Sequence, residues 1–172
     1  MPKGKKITNN IKDKSLVSNP ISHFQQNILF DLSSFKFCSI KVDNFTNFLK
    51  DEKHFSKEID FLFHKAIPKI SNCTFNEIFK NTNQYNYHQI KENNLNLTEK
   101  ILKQYNITNY TRDSLVQFSC GIKGLRFIGE QAGDNFKLYF IDFHHLIYPD
   151  VKHNNKDYRN YEFCILNLRQ KA

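Results

Sequence analysis

Several residue types are scarce or absent in this sequence, and their scarcity narrows what the protein can be. Tryptophan is absent, methionine occurs only at the start, and the four cysteines include no Cys-x-x-Cys pair. The wide cysteine spacing argues against a zinc ribbon, a redox motif and a disulfide framework, so we expect reduced thiols. Neither an 18-residue apolar run nor a signal-peptide pattern occurs. We therefore expect a cytoplasmic protein without a membrane partner.

Aromatic rings and lysine are abundant instead. The chain has 172 residues, with 17 Phe and 8 Tyr and 40% hydrophobic content, which is enough for one domain with a substantial core. The net charge is +8 and the pI is near 9.3, although only four residues are arginine. This balance favours a polyanionic partner, either nucleic acid or an acidic protein. A lysine- and asparagine-rich composition is also typical of proteins from AT-rich genomes.

The basic charge is concentrated at the amino end. We interpret residues 1–27 as a basic, flexible extension and residues 28–172 as a single α+β domain. The extension is either a solvated tail or an arm that contacts a phosphate backbone. Candidate nucleic-acid-binding side chains are lysines in the extension and in two later loops: Lys3, Lys5, Lys6, Lys123 and Lys152.

Three consecutive antiparallel strands are predicted over residues 115–120, 125–130 and 136–143. Gly121 and Gly124 suit a tight reversal between the first two strands, and a Gly133-containing cluster suits a second hairpin. The third strand is apolar at most positions on both faces, which is typical of a central strand.

Helices and a further strand are predicted upstream. Residues 35–41 have strand-like residues, and Asp43 or Asn44 can cap an amphipathic helix that runs to about residue 66, before Pro68. This helix should pack on the sheet through one apolar stripe: Phe48, Phe55, Ile59 and Leu62.

Shorter elements follow this helix. Thr74 can cap a short second helix through residue 80, and Thr98 a short helix over residues 97–105. Residues 81–96 are polar and are predicted to form a loop, whereas residues 161–166 fit either a strand or a helix. The expected fold is a mainly antiparallel sheet with the long helix and the short second helix on one face.

The densest group of reactive side chains follows the third strand. Asp142, His144, His145 and Tyr148 precede Pro149, which cannot continue a strand ladder. Together with Arg126 on the second strand, this pattern resembles the RelE/ParE superfamily of bacterial toxins, whose second strand carries an arginine and whose last strand runs into a His-Arg-type pair and a tyrosine. His145 stands where an arginine is usual, and residues 1–27 and 81–113 are an extension and an insertion relative to that pattern.

The resemblance implies a RelE-like fold and metal-independent RNA cleavage with no cofactor, in which a ribose 2′-hydroxyl attacks the adjacent phosphate. It assigns acid–base roles to His144, His145 and Tyr148 and a phosphate-binding role to Arg126. His88, flanked by aromatic residues, is a further catalytic candidate delivered by a loop. RNA, with or without the ribosome, and a cognate antitoxin protein are the implied partners.

Three other interpretations remain open on the sequence. The histidines and Tyr148 can be structural, with Arg126 paired to an acid such as Asp142. A metal site can be drawn from oxygen and nitrogen ligands, although no recognised spacing is present; its candidates are Asp142, His144, Asp150, His153 and His88. The protein can also be a non-enzymatic binder, either a ParE-like target binder or an accessory interaction protein.

Overall fold

A five-stranded sheet forms the centre of the protein in the computed structural model, which describes residues 26–122, 124–150, 154 and 156–168. The sheet order is β1-β7-β6-β5-β4. These ranges contain seven strands, two of which (β2 and β3) form a separate small ribbon. They are β1 (Leu29–Asp31), β2 (Lys41–Val42), β3 (Phe45–Thr46), β4 (His88–Gln89), β5 (Leu115–Phe118), β6 (Arg126–Ala132) and β7 (Asn135–Asp142).

The three predicted consecutive strands are confirmed, with ends that differ by one or two residues. They are β5, β6 and β7, joined by the two predicted hairpin turns and paired antiparallel throughout. β7 lies inside the sheet between β6 and β1, and its last five residues are all buried. Among the strands of the described ranges, only the β1–β7 pair is parallel. The sheet is therefore mainly antiparallel, as expected.

The predicted strand at residues 35–41 is wrong. The sheet strand in this part of the chain is β1, which ends where the Ser33 N–H donates to the Asp31 carboxylate (2.8 Å) and forms a turn. Beyond the turn, the Lys36 N–H donates to the Tyr139 carbonyl, but no ladder follows. β2 begins only at Lys41 and pairs with β3. The aromatic residues of this segment reflect packing, since strand propensity depends strongly on context.

The helices are α1 (Glu52–Phe61), α2 (Ile67–Ser71), α3 (Phe75–Lys80), α4 (Thr82–Tyr85), α5 (Glu92–Gln104) and α6 (Ile165–Leu168). A π-turn over Leu62–Ala66 joins α1 to α2, so that one long helix runs from residue 52 to residue 71.

The prediction that this long helix begins near residue 44 and ends before Pro68 is wrong at both ends. Asp51 is the N-cap, and its carboxylate accepts the His54 N–H at 2.7 Å. Pro68 lies inside the helix, directly after the π-turn in which the Ile67 N–H donates to the Leu62 carbonyl. A proline interrupts the regular ladder of backbone bonds, and a π-turn is one way in which a helix accommodates it.

One face of the sheet carries the long helix and α3, as predicted. Leu62 is buried there and Ile59 packs against the same core, whereas Phe55 packs on Phe37 and Phe163 (5.9 and 5.8 Å between ring centroids). Phe48, also predicted to pack from the helix, precedes it in the chain. Thr74 and Glu77 form a complete capping box at the start of α3, which confirms the predicted cap.

The opposite face is covered by α5. This helix starts five residues earlier than predicted, and Thr98 lies inside it with its hydroxyl bonded to the Asn94 carbonyl (2.8 Å). Its buried residues Ile101 and Leu102 form a second cluster of apolar side chains, on this face, together with Ile128 and Phe140 of the sheet. Helices therefore cover both faces.

The polar region at residues 81–96 is not only a loop, because it supplies α4, the edge strand β4 and the first turns of α5. The undecided segment at 161–166 contains one bridge residue, Phe163 opposite Leu49, before α6 begins. All four cysteines are free thiols. Within the described ranges, no helix is long and apolar enough to cross a membrane.

Candidate functional site

Three predicted site residues lie together at one end of the sheet, on the face covered by α5: His88, Arg126 and Tyr148. Arg126 lies opposite Asp142 in the β6–β7 ladder. His88 lies opposite Gln117, which lies opposite Ile128. Alternation along the strands places all of these side chains on one face. The adjacent residues Phe118 and Phe127 point the other way, into the core beneath the long helix. The sheet thus brings β4, β5, β6 and β7 residues together.

The exposed His88 ring and the partly buried Tyr148 ring form a pair at this end. Their rings stack with centroids 5.5 Å apart and planes at 30°. The Tyr148 hydroxyl lies 3.3 Å from the Lys91 amide nitrogen and 3.4 Å from the Gln89 carbonyl oxygen. Partial burial and the nearby Arg126 charge lower the pKa of His88. Its imidazole is therefore neutral at physiological pH and able to accept a proton.

Arg126 lies beneath this pair and is only 4% exposed. One terminal nitrogen donates to the Gly124 carbonyl (2.8 Å) and the Leu125 carbonyl (3.3 Å), whereas the buried Nε has no hydrogen-bond partner. Burial lowers the pKa of Arg126, and the charge of Asp142 opposes this effect. An arginine nonetheless remains protonated. Arg126 therefore provides fixed positive charge behind the His88 ring.

Asp142 organises the turn that follows β7. Its fully buried carboxylate accepts N–H bonds from His144 (3.1 Å), Leu146 (2.6 Å) and Ile147 (2.9 Å). Burial raises the pKa of Asp142, while these three bonds act in the opposite direction. This geometry occupies the carboxylate with backbone groups and holds the segment leading to Tyr148. No cluster suited to a metal ion occurs in the part of the chain that the structure describes, which does not include His153.

His144 belongs to a different environment, near the start of α1. Its Nε2 donates to the Phe48 carbonyl at 2.7 Å, so this nitrogen carries the proton. The ring stacks on Tyr158 at 4.2 Å and 18°, and His54 and Tyr161 are also neighbours. Burial lowers the pKa of His144 to about 4. The structure therefore separates His144 from the His88 pair and keeps it uncharged at neutral pH.

His145 is buried and has a left-handed backbone, with φ of 59°. This conformation is uncommon for residues other than glycine, although histidine is among those that adopt it more often. It allows the chain to reverse after β7 within the turn that Asp142 holds.

The excess of positive over negative charge lies outside the described residues. Of the 25 lysine and arginine side chains, nine lie outside, and of the 17 acidic side chains only Asp13 does, so the described residues carry 16 of each sign. All five lysines predicted to bind nucleic acid, Lys3, Lys5, Lys6, Lys123 and Lys152, are among those nine. The described part of the chain is thus formally neutral.

Sequence reasoning missed Gln117. This side chain is fully buried between His88 and Ile128, and neither amide oxygen nor amide nitrogen has a hydrogen-bond partner. A signal was present in the sequence, because a glutamine interrupts the apolar run Leu115-Val116-Gln117-Phe118. Buried polar groups are normally bonded, so an orphaned amide in a central strand calls for an explanation.

Comparison with known proteins identifies a family for this chain. The family model described as "Uncharacterised protein UU032" matches residues 33–171. This chain belongs to the UU032 family. The protein named UU032 from Ureaplasma parvum serovar 3 is 27% identical over 168 residues, which cover 94% of each chain. No solved structure matches the chain. The UU032 match includes the region at 81–113 as well as all the strands that carry the site.

Proposed function

We propose that this UU032 family protein binds RNA at the end of the sheet formed by His88, Tyr148 and Arg126, and that it cleaves RNA there without a metal ion. The observation that carries the proposal is the His88 imidazole, which is exposed, held by a stacked ring and kept neutral beside a buried positive charge. This combination suits a general base that works close to negatively charged phosphate.

The chemistry requires one proton carrier and one fixed charge. His88 accepts the proton of a ribose 2′-hydroxyl as its oxygen bonds to the adjacent phosphorus. The bond from phosphorus to the 5′-oxygen breaks on the opposite side of the phosphorus, where water supplies the proton to the leaving oxygen, and the imidazolium then releases its proton to solvent. Arg126 stabilises the negative charge that develops on the phosphate, as preorganised charge does in other active sites. In the free protein, Tyr148 keeps the imidazole in place by stacking.

The position of the basic residues supports an RNA partner. Lys123 lies in the chain between the β5–β6 turn residues Ile122 and Gly124, and Lys152 lies shortly after Tyr148. Both therefore flank the proposed site in sequence. The remaining excess of positive charge lies near the two ends of the chain, where it can add sequence-independent attraction to phosphates.

The test is cleavage of single-stranded RNA in the presence of EDTA. The His88→Asn variant should lose about 10²-fold or more in rate, since general base catalysis contributes that much. His64→Asn is the matched control, because His64 is also an exposed histidine but bonds only to Asp60 on the long helix in the described structure (2.6 Å). This control should cleave at the wild-type rate. DNA should remain intact because it lacks the attacking 2′-hydroxyl.

Two results would contradict the cleavage proposal: equal rates for His88→Asn and wild type, or loss of all activity in EDTA. A toxin of the RelE/ParE kind should in addition arrest bacterial growth on induction, and the product of the neighbouring reading frame should relieve the arrest. Indifference of the host would argue against this toxin role.

A non-enzymatic RNA- or target-binding protein is the second candidate, and the contacts of Arg126 and Asp142 favour it. Both side chains bond to backbone groups of their own strands and turns, as structural residues do. The prediction for this candidate is intact RNA with every variant, while RNA or protein affinity changes when His88 or Tyr148 is altered.

A further inference from the structure

The geometry points to a base-recognition pocket behind the His88–Tyr148 pair: we propose that the Gln117 amide and the Arg126 Nε–H read the edge of an unstacked nucleobase, and that the Tyr148 ring occupies the place of this base in the free protein. The inference rests on the proposed RNA binding and goes beyond it, because it names the recognised group and the residues that select it.

The first observation is the position of Gln117 relative to the ring pair. Gln117 is directly opposite His88 in the β4–β5 ladder. Side chains that are directly opposite each other on one face have Cβ atoms about 5 Å apart. Arg126 is two residues from Ile128, the partner of Gln117 in β6, and therefore lies diagonally beside the glutamine on the same face. The two polar groups thus adjoin each other next to the His88 and Tyr148 rings.

The second observation is that both groups are buried and lack partners. Gln117 has two orphaned amide atoms and Arg126 has an orphaned Nε. The exposed fractions of these side chains are 0% and 4%. Leaving such groups without hydrogen bonds opposes folding, so their retention in a central strand is explained by a ligand that supplies the missing partners.

The third observation is the unequal anchoring of the segment that covers these groups. The Asp142 carboxylate holds the Leu146 and Ile147 amides with bonds of 2.6 and 2.9 Å. The next residue, Tyr148, has two contacts of 3.3 and 3.4 Å for its hydroxyl. The chain is therefore fixed up to Ile147, while the Tyr148 ring can rotate away without breaking a short hydrogen bond.

A nucleobase suits the space and the chemistry that the ring leaves. Its flat face can stack on His88 as the phenol ring does, and stacking on aromatic side chains is the usual way in which proteins hold unpaired bases. A glutamine amide offers one donor and one acceptor side by side, which match the N6 and N7 atoms of adenine. The Arg126 Nε–H adds a donor for a further acceptor of the base. Adenine in single-stranded RNA is therefore the expected ligand.

The experiment measures the affinities of short 2′-O-methyl oligoadenylate and oligouridylate, which the protein cannot cleave by 2′-hydroxyl attack. Wild type should bind the oligoadenylate more tightly. Gln117→Leu keeps the side-chain size and removes both orphaned groups, so it should fold and lose about tenfold or more of oligoadenylate affinity. Its oligouridylate affinity should not change, because attraction to phosphates is independent of the base.

Tyr148→Ala gives a second measurement that does not alter the buried polar groups. Removing the ring removes the competitor for the base position, so this variant should bind oligoadenylate more tightly than wild type does. Equal wild-type affinity for the two oligonucleotides, a preference that survives in Gln117→Leu, or no gain in Tyr148→Ala would overturn the inference. RNA binding without base preference would leave the proposed function standing, whereas no binding of either oligonucleotide would refute both.

Discussion

Acidification should destabilise this protein through His144. The folded protein holds the neutral imidazole between the Phe48 carbonyl and the Tyr158 ring, and its pKa is about 4, compared with an ordinary value of 6.5. Below pH 6.5 the unfolded chain takes up a proton at this residue, whereas the folded protein does so only near pH 4. The unfolded state therefore binds more protons in this window, and the free energy of unfolding falls as the pH falls.

The size of the effect follows from the difference between the two pKa values. Lowering the pKa of His144 from 6.5 to about 4 corresponds to about 3 kcal/mol of stability, present above pH 6.5 and lost progressively down to pH 4. Asp142 acts in the opposite direction, because burial raises its pKa and the folded state protonates first. A pH series on the wild type alone would therefore mix the two contributions.

The His144→Gln variant isolates the histidine. Glutamine keeps an N–H donor for the Phe48 carbonyl but does not titrate. The unfolding free energy of the wild type minus that of the variant should therefore fall by about 3 kcal/mol as the pH is lowered from 7 to 4. Urea denaturation at several pH values measures it, and an NMR titration of the His144 ring gives the pKa directly. A ring that titrates at 6.5 or above, or a difference independent of pH, would refute the reasoning.

Two further outcomes test the packing and the charge distribution. Gly129→Ala should destabilise the protein by about 1–3 kcal/mol, because the new Cβ would collide with the Lys137 carbonyl oxygen and the Phe136 ring. The control, Gly124→Ala, should be tolerated because no atom lies within 4 Å of the new Cβ. Equal melting temperatures of the two variants would contradict this prediction. Deleting residues 1–20, which hold five lysines and one acidic residue, should preserve the fold and flatten the salt dependence of RNA binding, and an unchanged slope would show that this segment makes no phosphate contacts.

Local patterns in the sequence were enough to predict several elements. The β5–β6–β7 meander follows from apolar runs separated by glycine-containing turns of hairpin length, and consecutive hairpins require no knowledge of distant residues. Thr74 and Glu77 are three residues apart, so their capping box can also be predicted from the local sequence. The start of the long helix was not, because Phe45 fits the apolar stripe of a helix but is buried in a short strand.

In the candidate site, too, local sequence predicted some positions, whereas others depended on residues distant in the chain. Arg126 and Tyr148 lie in the segment whose strands and turns could be predicted, and both lie at the end of the sheet. His88 was recognised as a site candidate only from its aromatic neighbours, because its place opposite Gln117 depends on pairing across 28 intervening residues. Such pairing depends on burial and register, which a periodic pattern in one segment does not contain.

The sequence by itself determined that the chain forms one mainly antiparallel α+β domain with reactive side chains after the last long strand. Only the tertiary structure decided which of those side chains share an environment. It placed His144 against the carbonyl of Phe48, 96 residues earlier in the chain, and against the Tyr158 ring, and it stacked Tyr148 on His88. The physical reason is that the protonation state and the reach of a side chain depend on the desolvation and the partners that distant segments supply.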